Sequence, residues 1–393
     1  GPLGAPGQGR VLEQGLTVGE VRDSGIPPPY LPTRTSRPSP EDQVRFIANI
    51  ERILSEGSFV ATYKYALLVA LVELAIERGD DSNRELVLSI RDIADKFAEL
   101  YWRQAAPYEA TGVSGPGFVL HQNTGRQAGA ITRLARLRDE LKGSRSTLAE
   151  ARRTADWKRL VGQMQTLLKT MPLWRLQRVG HEDNRFLYEP GPGASNITLL
   201  PGVACHLRER APLIRRLAET EWLRFVLSLE QNQPVLGRAV GLSEFLFGSG
   251  RAALSLKVSK PLRELQDGEC FYCQHKLPAE AAVDHFIPWS RYPRDLAHNL
   301  VLAHGACNSR KSDLLGGEMY LERWAQFLSE HDSDLLQIGT EAGLLVDRAT
   351  SVAVAEWSYG HAERVQAQVW LGGTKYGHLA ADWRRLLPPG STR

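Results

Sequence analysis

Cys270-Phe271-Tyr272-Cys273, then Val283-Asp284-His285-Phe286-Ile287-Pro288, then His298-Asn299-Leu300-Val301-Leu302, and last His304-Gly305-Ala306-Cys307-Asn308-Ser309-Arg310-Lys311-Ser312-Asp313: the reading of this chain turns on this stretch. Three of the four cysteines fall within it. Cys270 and Cys273 form a C-x2-C pair, and His304 and Cys307 form an H-x2-C pair. A tight turn lets two ligands three residues apart reach one ion, and two such turns supply the four N/S donors of tetrahedral Zn²⁺. With all four positions taken by protein, none is left for water, so the expected zinc is structural. The alternative is four residues that pack without metal. A lone C-x2-C would leave it open, whereas two knuckles in order weigh against it. His275 is wrongly spaced from Cys273 to complete a knuckle.

Between and beside the knuckles runs the series Asp284-His285, Asn299, Asn308. Taken together, the two patterns resemble the HNH endonuclease family, in the variant whose named positions are here His285, Asn299 and Asn308. The family's second knuckle is often Cys-x2-Cys, and His304 replaces the first of those cysteines with an imidazole. The resemblance covers only a small part of the chain. It implies a β-hairpin followed by a helix that grips a metal, the ββα-metal fold. It implies His285 as general base, Asp284 and Asn308 as oxygen ligands of a catalytic Mg²⁺ or Mn²⁺, and Asn299 as a positioning residue bonded to loop backbone.

The residue chemistry agrees with those roles. A neutral imidazole, with an ordinary pKa of ~6.5, can take a proton from water near neutral pH. Mg²⁺ takes oxygen ligands and keeps several waters, so two protein ligands suffice. On a regular strand the consecutive Asp284 and His285 would point to opposite faces, unless the strand twists or bends. Arg310 and Lys311, at the start of the expected helix, are either phosphate contacts or part of a solvated helix face. His298 carries no assignable role.

Beyond this stretch the composition is that of an ordinary soluble globular protein, 42% hydrophobic and 24% charged over 393 residues, which is long for one core. A net charge of only +3 means that a nucleic acid must be met by a local basic surface. Cys205 is left single, which excludes a disulfide framework and points to a reducing compartment. No apolar run approaches the ~18 residues of a membrane span. The N-terminus lacks a basic segment followed by an apolar one, so the cytoplasm is the expected location and no membrane partner is expected.

The expected organisation is multi-domain and mainly α, with a small α+β nuclease module. Residues 1–38 read as a flexible Pro/Gly-rich arm. Residues 39–258 read as a mainly helical region that senses a feature or binds DNA. Its helices begin at Ser39-Pro40-Glu41-Asp42, at Thr62, near Arg84 and near Ala211. Arg185–Tyr188 and Ile197–Leu200 read as a small hairpin. Within residues 126–178, thirteen Lys or Arg stand against four Asp or Glu, with Trp157 and Trp174 nearby. That is a candidate phosphate surface or an ordinary solvated face. Residues 259–318 form the nuclease module. Residues 319–393 read as a C-terminal helical region anchored by Trp324, Trp357, Trp370 and Trp383.

The expected function is metal-dependent endonucleolytic hydrolysis of DNA, with Mg²⁺ or Mn²⁺ and Zn²⁺ as cofactors. A role in restriction or phage defence is an expectation by analogy, and a protein partner or a homodimer is an open expectation. The rivals are a zinc-stabilised nucleic-acid-binding module that does not cut, and a partner-gated interaction protein with a silent nuclease.

Overall fold

The computed structural model describes residues 37–57, 59–109, 117–141, 147–179, 182–189, 195–236, 241–248 and 251–388. The arm expected over 1–38 lies, apart from its last two residues, outside them. Helix α1 (Pro40–Ser55) starts where expected. The Ser39 side chain accepts from Asp42 N, and the Asp42 carboxylate accepts from Ser39 N, a reciprocal cap. Helix α2 (Tyr63–Arg78) is apolar on almost every face and correspondingly buried along its length.

One helix was expected from about Arg84 to Gln104. The structure divides it into strand β1 (Leu86–Ser89) and helix α3 (Ile90–Gln104). Ser89 ends the strand and caps α3, accepting from Asp92 N. Helices α4 (Gly129–Glu140), α5 (Leu148–Arg152), α6 (Ala155–Thr170) and α7 (Pro172–Arg175) follow, with α6 packed on α3. Strands β2 (Arg178–Val179) and β3 (Glu182–Asp183) pair with each other. Strands β4 (Tyr188–Glu189) and β5 (Asn196–Leu199) form the expected hairpin, which β1 extends into a sheet of order β1-β5-β4. Helices α8 (Val203–Glu209) and α9 (Ala211–Ser228) pack on α2, and α10 (Gln233–Leu236) and α11 (Leu242–Phe247) follow.

Helix α12 (Arg251–Leu265) runs straight through the expected boundary at 258/259. It leads into strands β6 (Ala282–His285) and β7 (Leu300–Ala303), an antiparallel pair, and then helix α13 (Gly305–Lys311). Helices α14 (Glu318–Glu330), α15 (Asp332–Ala342) and α16 (Arg348–Arg364) follow. Strands β8 (Val369–Gly372) and β9 (Lys375–Gly377) form a hairpin where helical periodicity had been expected, and a short 3-10 helix over Trp383–Leu386 follows it. Gly372 and Gly373 both adopt positive φ at the hairpin's turn. The C-terminal helices are not set apart from the rest. Helix α16 packs on α2, the Trp357 indole donates to Arg208 O at 2.8 Å, and Arg364 pairs with Asp81 at 2.6 Å. One apolar core runs from Phe46 to Trp383.

Charges are buried at the centre of that core. Glu73 of α2 is fully buried and held by Arg215 of α9 and by Arg294 at 2.7 Å. Lys96 of α3 lies 2.7 Å from Glu77 and 3.2 Å from Glu99. The Tyr292 hydroxyl donates to Glu77. Burial alone would raise the Glu73 pKa, but Arg294, Arg215 and Lys96 together hold it down at about 2. Tyr292 and Arg294 belong to the loop between β6 and β7, so this cluster fixes that loop against the helical body.

Buried histidines shape the acid response, His298 among them, its pKa lowered by burial. Burial pushes both His206, stacked on Phe46, and His361 down to about 4. Between that value and the unfolded value of ~6.5 the unfolded chain binds the extra protons, so stability falls as pH drops through this window. Glu219, whose carboxyl burial pushes up, works in the opposite direction. Calorimetric melts from pH 7 to 4.5 are expected to show a falling melting temperature with uptake of about one to two protons on unfolding. A flat profile would refute the assignment.

Candidate metal centre and active site

The β6-β7-α13 unit brings the two knuckles of the quoted stretch to one point. Cys270 and Cys273 lie on a tight turn closed by Gln274 N donating to Cys270 O at 2.9 Å, with Gln274 at positive φ. His304 caps α13 and Cys307 sits one turn along it. The ligand atoms of Cys270, Cys273, His304 and Cys307 all lie within 4.8 Å of one another. Tetrahedral ligands at ~2.3 Å from zinc are about 3.8 Å apart, so only a small contraction separates this arrangement from coordination.

Three further observations fit zinc. His304 Nε2 donates to Lys276 O at 3.0 Å, which leaves the Nδ1 lone pair 3.2 Å from Cys273 Sγ. Burial opposes ionisation of Cys270, yet backbone N–H groups of Cys273, His304 and Tyr272 draw its thiol pKa down. Burial, with Cys270 and Cys273 beside it, pushes the Cys307 thiol up to about 12, the like-charge crowding that a cation relieves. His275 stays outside the group and bonds Cys273 O instead.

The strand twist question resolves into two environments. Asp284 points toward α13, where its Oδ2 accepts from the Tyr272 hydroxyl and lies 2.9 Å from Lys311 Nζ. Burial and Asp284 keep the Tyr272 phenol well above its usual pKa, so it remains a donor. His285 points elsewhere. Its Nε2 lies 3.0 Å from Asp295 Oδ1, and the Trp289 ring stands edge-on at 5.3 Å. A carboxylate can only accept, so Nε2 carries the proton and Nδ1 holds the lone pair of the neutral ring.

Asn299 straps the loop that follows His285. Its Oδ1 accepts from Ile287 N at 2.7 Å and its Nδ2 donates to Ile287 O at 2.9 Å. Asn308 lies half-exposed on α13, one turn before Lys311 and on the same side of the helix. Arg310 is exposed.

Lys311 does not fit the expected phosphate contact. It is 0% exposed, and its Nζ donates to His285 O at 2.9 Å as well as pairing with Asp284. The physical reason is helical spacing: Lys311 stands four residues after Cys307 and therefore shares the buried face. Burial lowers its pKa, and Asp284 partly restores it. Lys311→Met is expected to cost about 3–5 kcal/mol of stability, because it strands a buried carboxylate. Arg310→Ala should stay within about 0.5 kcal/mol. Denaturant melts of the two variants check this, and equal stabilities would overturn the pairing.

The sequence reading missed three residues. Asp295 meets His285 through a ten-residue loop that no spacing rule describes. Tyr272, between the first two cysteines, was given no role, yet its hydroxyl donates to Asp284. His298, left without a role, donates to Asp332 Oδ1 at 3.1 Å and accepts from Trp324 Nε1 through its carbonyl, tying α14 and α15 to the hairpin. In the basic region, many cations are spent internally. Arg136 pairs with Glu140, Arg152 with Asp95, and Arg159 with Asp156, while Arg138 is buried over Trp102. Trp157 is buried and bonds Asp95, and Trp174 is exposed.

Residues 270–314 match the family model of the HNH endonuclease, so the chain carries an HNH endonuclease domain. No curated protein and no solved structure matches the chain. Members of this domain family are nucleases, and the Cys3His group is a zinc-type site within it. Among the described residues no helix is long and apolar enough to cross a membrane.

Proposed function

We propose that this protein is a metal-dependent endonuclease that hydrolyses phosphodiester bonds in duplex DNA, with His285 as general base. The observation that carries the reading is the His285–Asp295 bond, which fixes the imidazole tautomer with a free Nδ1. His285 Nδ1 takes a proton from water, whose oxygen attacks phosphorus in line. The P–O3′ bond breaks, the leaving O3′ takes a proton from solvent water, and the products carry a 5′-phosphate and a 3′-hydroxyl. Asn299 keeps the loop after His285 in register through both bonds to Ile287.

The donor chemistry suits a hard divalent cation. Asp284 Oδ1 is not part of the Tyr272 and Lys311 bonds, and the Asn308 amide stands half-exposed on the neighbouring helix. Those two residues would hold Mg²⁺ or Mn²⁺, which supplies stabilisation of charge on the phosphate and the leaving oxygen. Arg310 is exposed, and that leaves it free to meet a phosphate in this reading. A place in restriction or phage defence would follow the same chemistry, and rests on analogy.

One observation favours a second reading, a nucleic-acid-binding module that does not cut: Lys311 neutralises Asp284 and weakens its hold on a cation. Supercoiled plasmid incubated with Mg²⁺, Mn²⁺ or EDTA separates the two. Metal-dependent nicking or linearisation supports the nuclease. The nicked-to-linear ratio then reports whether centres act singly or in pairs, as a homodimer would. Retention of the plasmid without cleavage in either metal supports binding alone.

A further inference from the structure

A cavity of about 310 Å³ lies between the helical body and the loop joining β6 to β7. Trp102, Phe247 and Trp289 supply aromatic wall, and Gln104 and Arg294 supply polar wall. Gln104 is 1% exposed. Its Nε2 donates to Leu246 O, but its Oε1 has no partner. Arg294 spends its Nη atoms on Glu73 and Pro293 O, while its buried Nε makes no hydrogen bond and lies 4.0 Å from the carboxylate of Glu99, which is also in the wall. Buried polar atoms are almost always satisfied, so an orphan acceptor and an orphan donor lining one cavity point to a missing partner.

The remaining charges say what that partner is not. Arg294 and Arg215 are matched by Glu73, and Asp295 by His285. Arg103 is spent on three backbone carbonyls. The interior therefore has no surplus charge for a polyanion. Lys257, exposed at the edge, makes no ion pair among the described residues and, unlike Arg103, is not enclosed by backbone carbonyls. Its ammonium donates to Ala342 O at 3.3 Å, and its charge is felt at Glu150. The volume sits at the low end for ligand cavities, enough for a nucleoside and too small for a dinucleotide.

We infer that this cavity binds a nucleobase, its ring against the aromatic wall, an N–H facing Gln104 Oε1 and an acceptor facing Arg294 Nε. The base comes either from a free mononucleotide, whose phosphate reaches Lys257, or from a polynucleotide that extrudes it. The inference rests on the cavity and not on the nuclease reading. Because Trp289 and Asp295 are part of the same wall and both meet His285, an occupant bears directly on the loop that orients the imidazole.

The test is calorimetric titration of the full chain with adenosine, guanosine, cytidine and thymidine, and with their 5′-monophosphates. At least one is expected to bind at one site per chain, and Gln104→Leu should weaken it at least tenfold. Gln104→Leu also loses a bond to Leu246, so Trp289→Ala serves as the second variant and should weaken binding equally clearly. A Lys257→Ala loss confined to monophosphates identifies a free mononucleotide as the source. If no monomer binds, a duplex carrying 2-aminopurine that brightens with wild type and not with Gln104→Leu identifies an extruded base. Absence of both signals, or binding that neither variant weakens, overturns the inference. Plasmid cleavage, scored separately, stands or falls without affecting it.

Discussion

His285→Ala is expected to slow plasmid cleavage by about 10²–10⁴-fold, the usual worth of a positioned general base. The variant removes the imidazole whose Nδ1 the Asp295 bond leaves free. It does not touch the Cys3His group, so zinc content should remain at the wild-type level. Asp295→Asn should slow cleavage less, because the base survives while the carboxylate that fixes its tautomer is lost. A structural role alone would make both variants lose stability without changing the pH dependence of the rate. The assigned roles instead predict a changed acidic limb for Asp295→Asn. Wild-type cleavage by His285→Ala would remove the base assignment outright.

The second large effect concerns zinc. Cys307→Ala leaves three ligands and opens the fourth position. Structural zinc in isolated fingers is worth about 10–16 kcal/mol of folding free energy. Here Phe271, Tyr272 and Phe286 pack around the site into the common core, so part of the fold persists without it. A fall in melting temperature of about 10 °C or more is expected, since ~1 kcal/mol moves a chain of this size by a few degrees. Zinc measured on the purified protein should drop from one per chain to well below. A Cys307→Ala protein that keeps its zinc and its melting temperature would refute the site. EDTA removes either metal, so restoration by Mg²⁺ alone marks loss of the catalytic ion, and a further need for Zn²⁺ marks loss of the structural one.

The knuckles were legible because each pair is three residues apart, and the two pairs meet in one group; the Asp284-His285, Asn299, Asn308 series was read from the family resemblance. What sequence left hidden depended on tertiary contact. Lys311 reads as surface in Cys307-Asn308-Ser309-Arg310-Lys311, yet the four-residue step from a zinc ligand was a signal that it would be buried. Strand β1 was absorbed into α3 because Leu86 and Ile90 suit either period. The Ser89-Ile90-Arg91-Asp92 cap would have marked the true helix start. Gly372-Gly373 similarly marked a hairpin inside what looked helical. Asp295 had no local signal at all: its meeting with His285 depends on how Tyr292 and Arg294 are pinned from another part of the chain.

That pinning has a consequence for portability. A small nuclease cassette is commonly imagined as a part that can be lifted from one body and fitted to another. Here the loop carrying Asp295 arrives with a guanidinium and a phenol whose acceptors, Glu73 and Glu77, belong to α2. Grafted onto a scaffold without matching carboxylates, Arg294 would be an uncompensated buried cation, and the loop would abandon the imidazole to escape it. The cassette and its host are thus keyed to each other, and any transplant must carry the two glutamates along with the zinc.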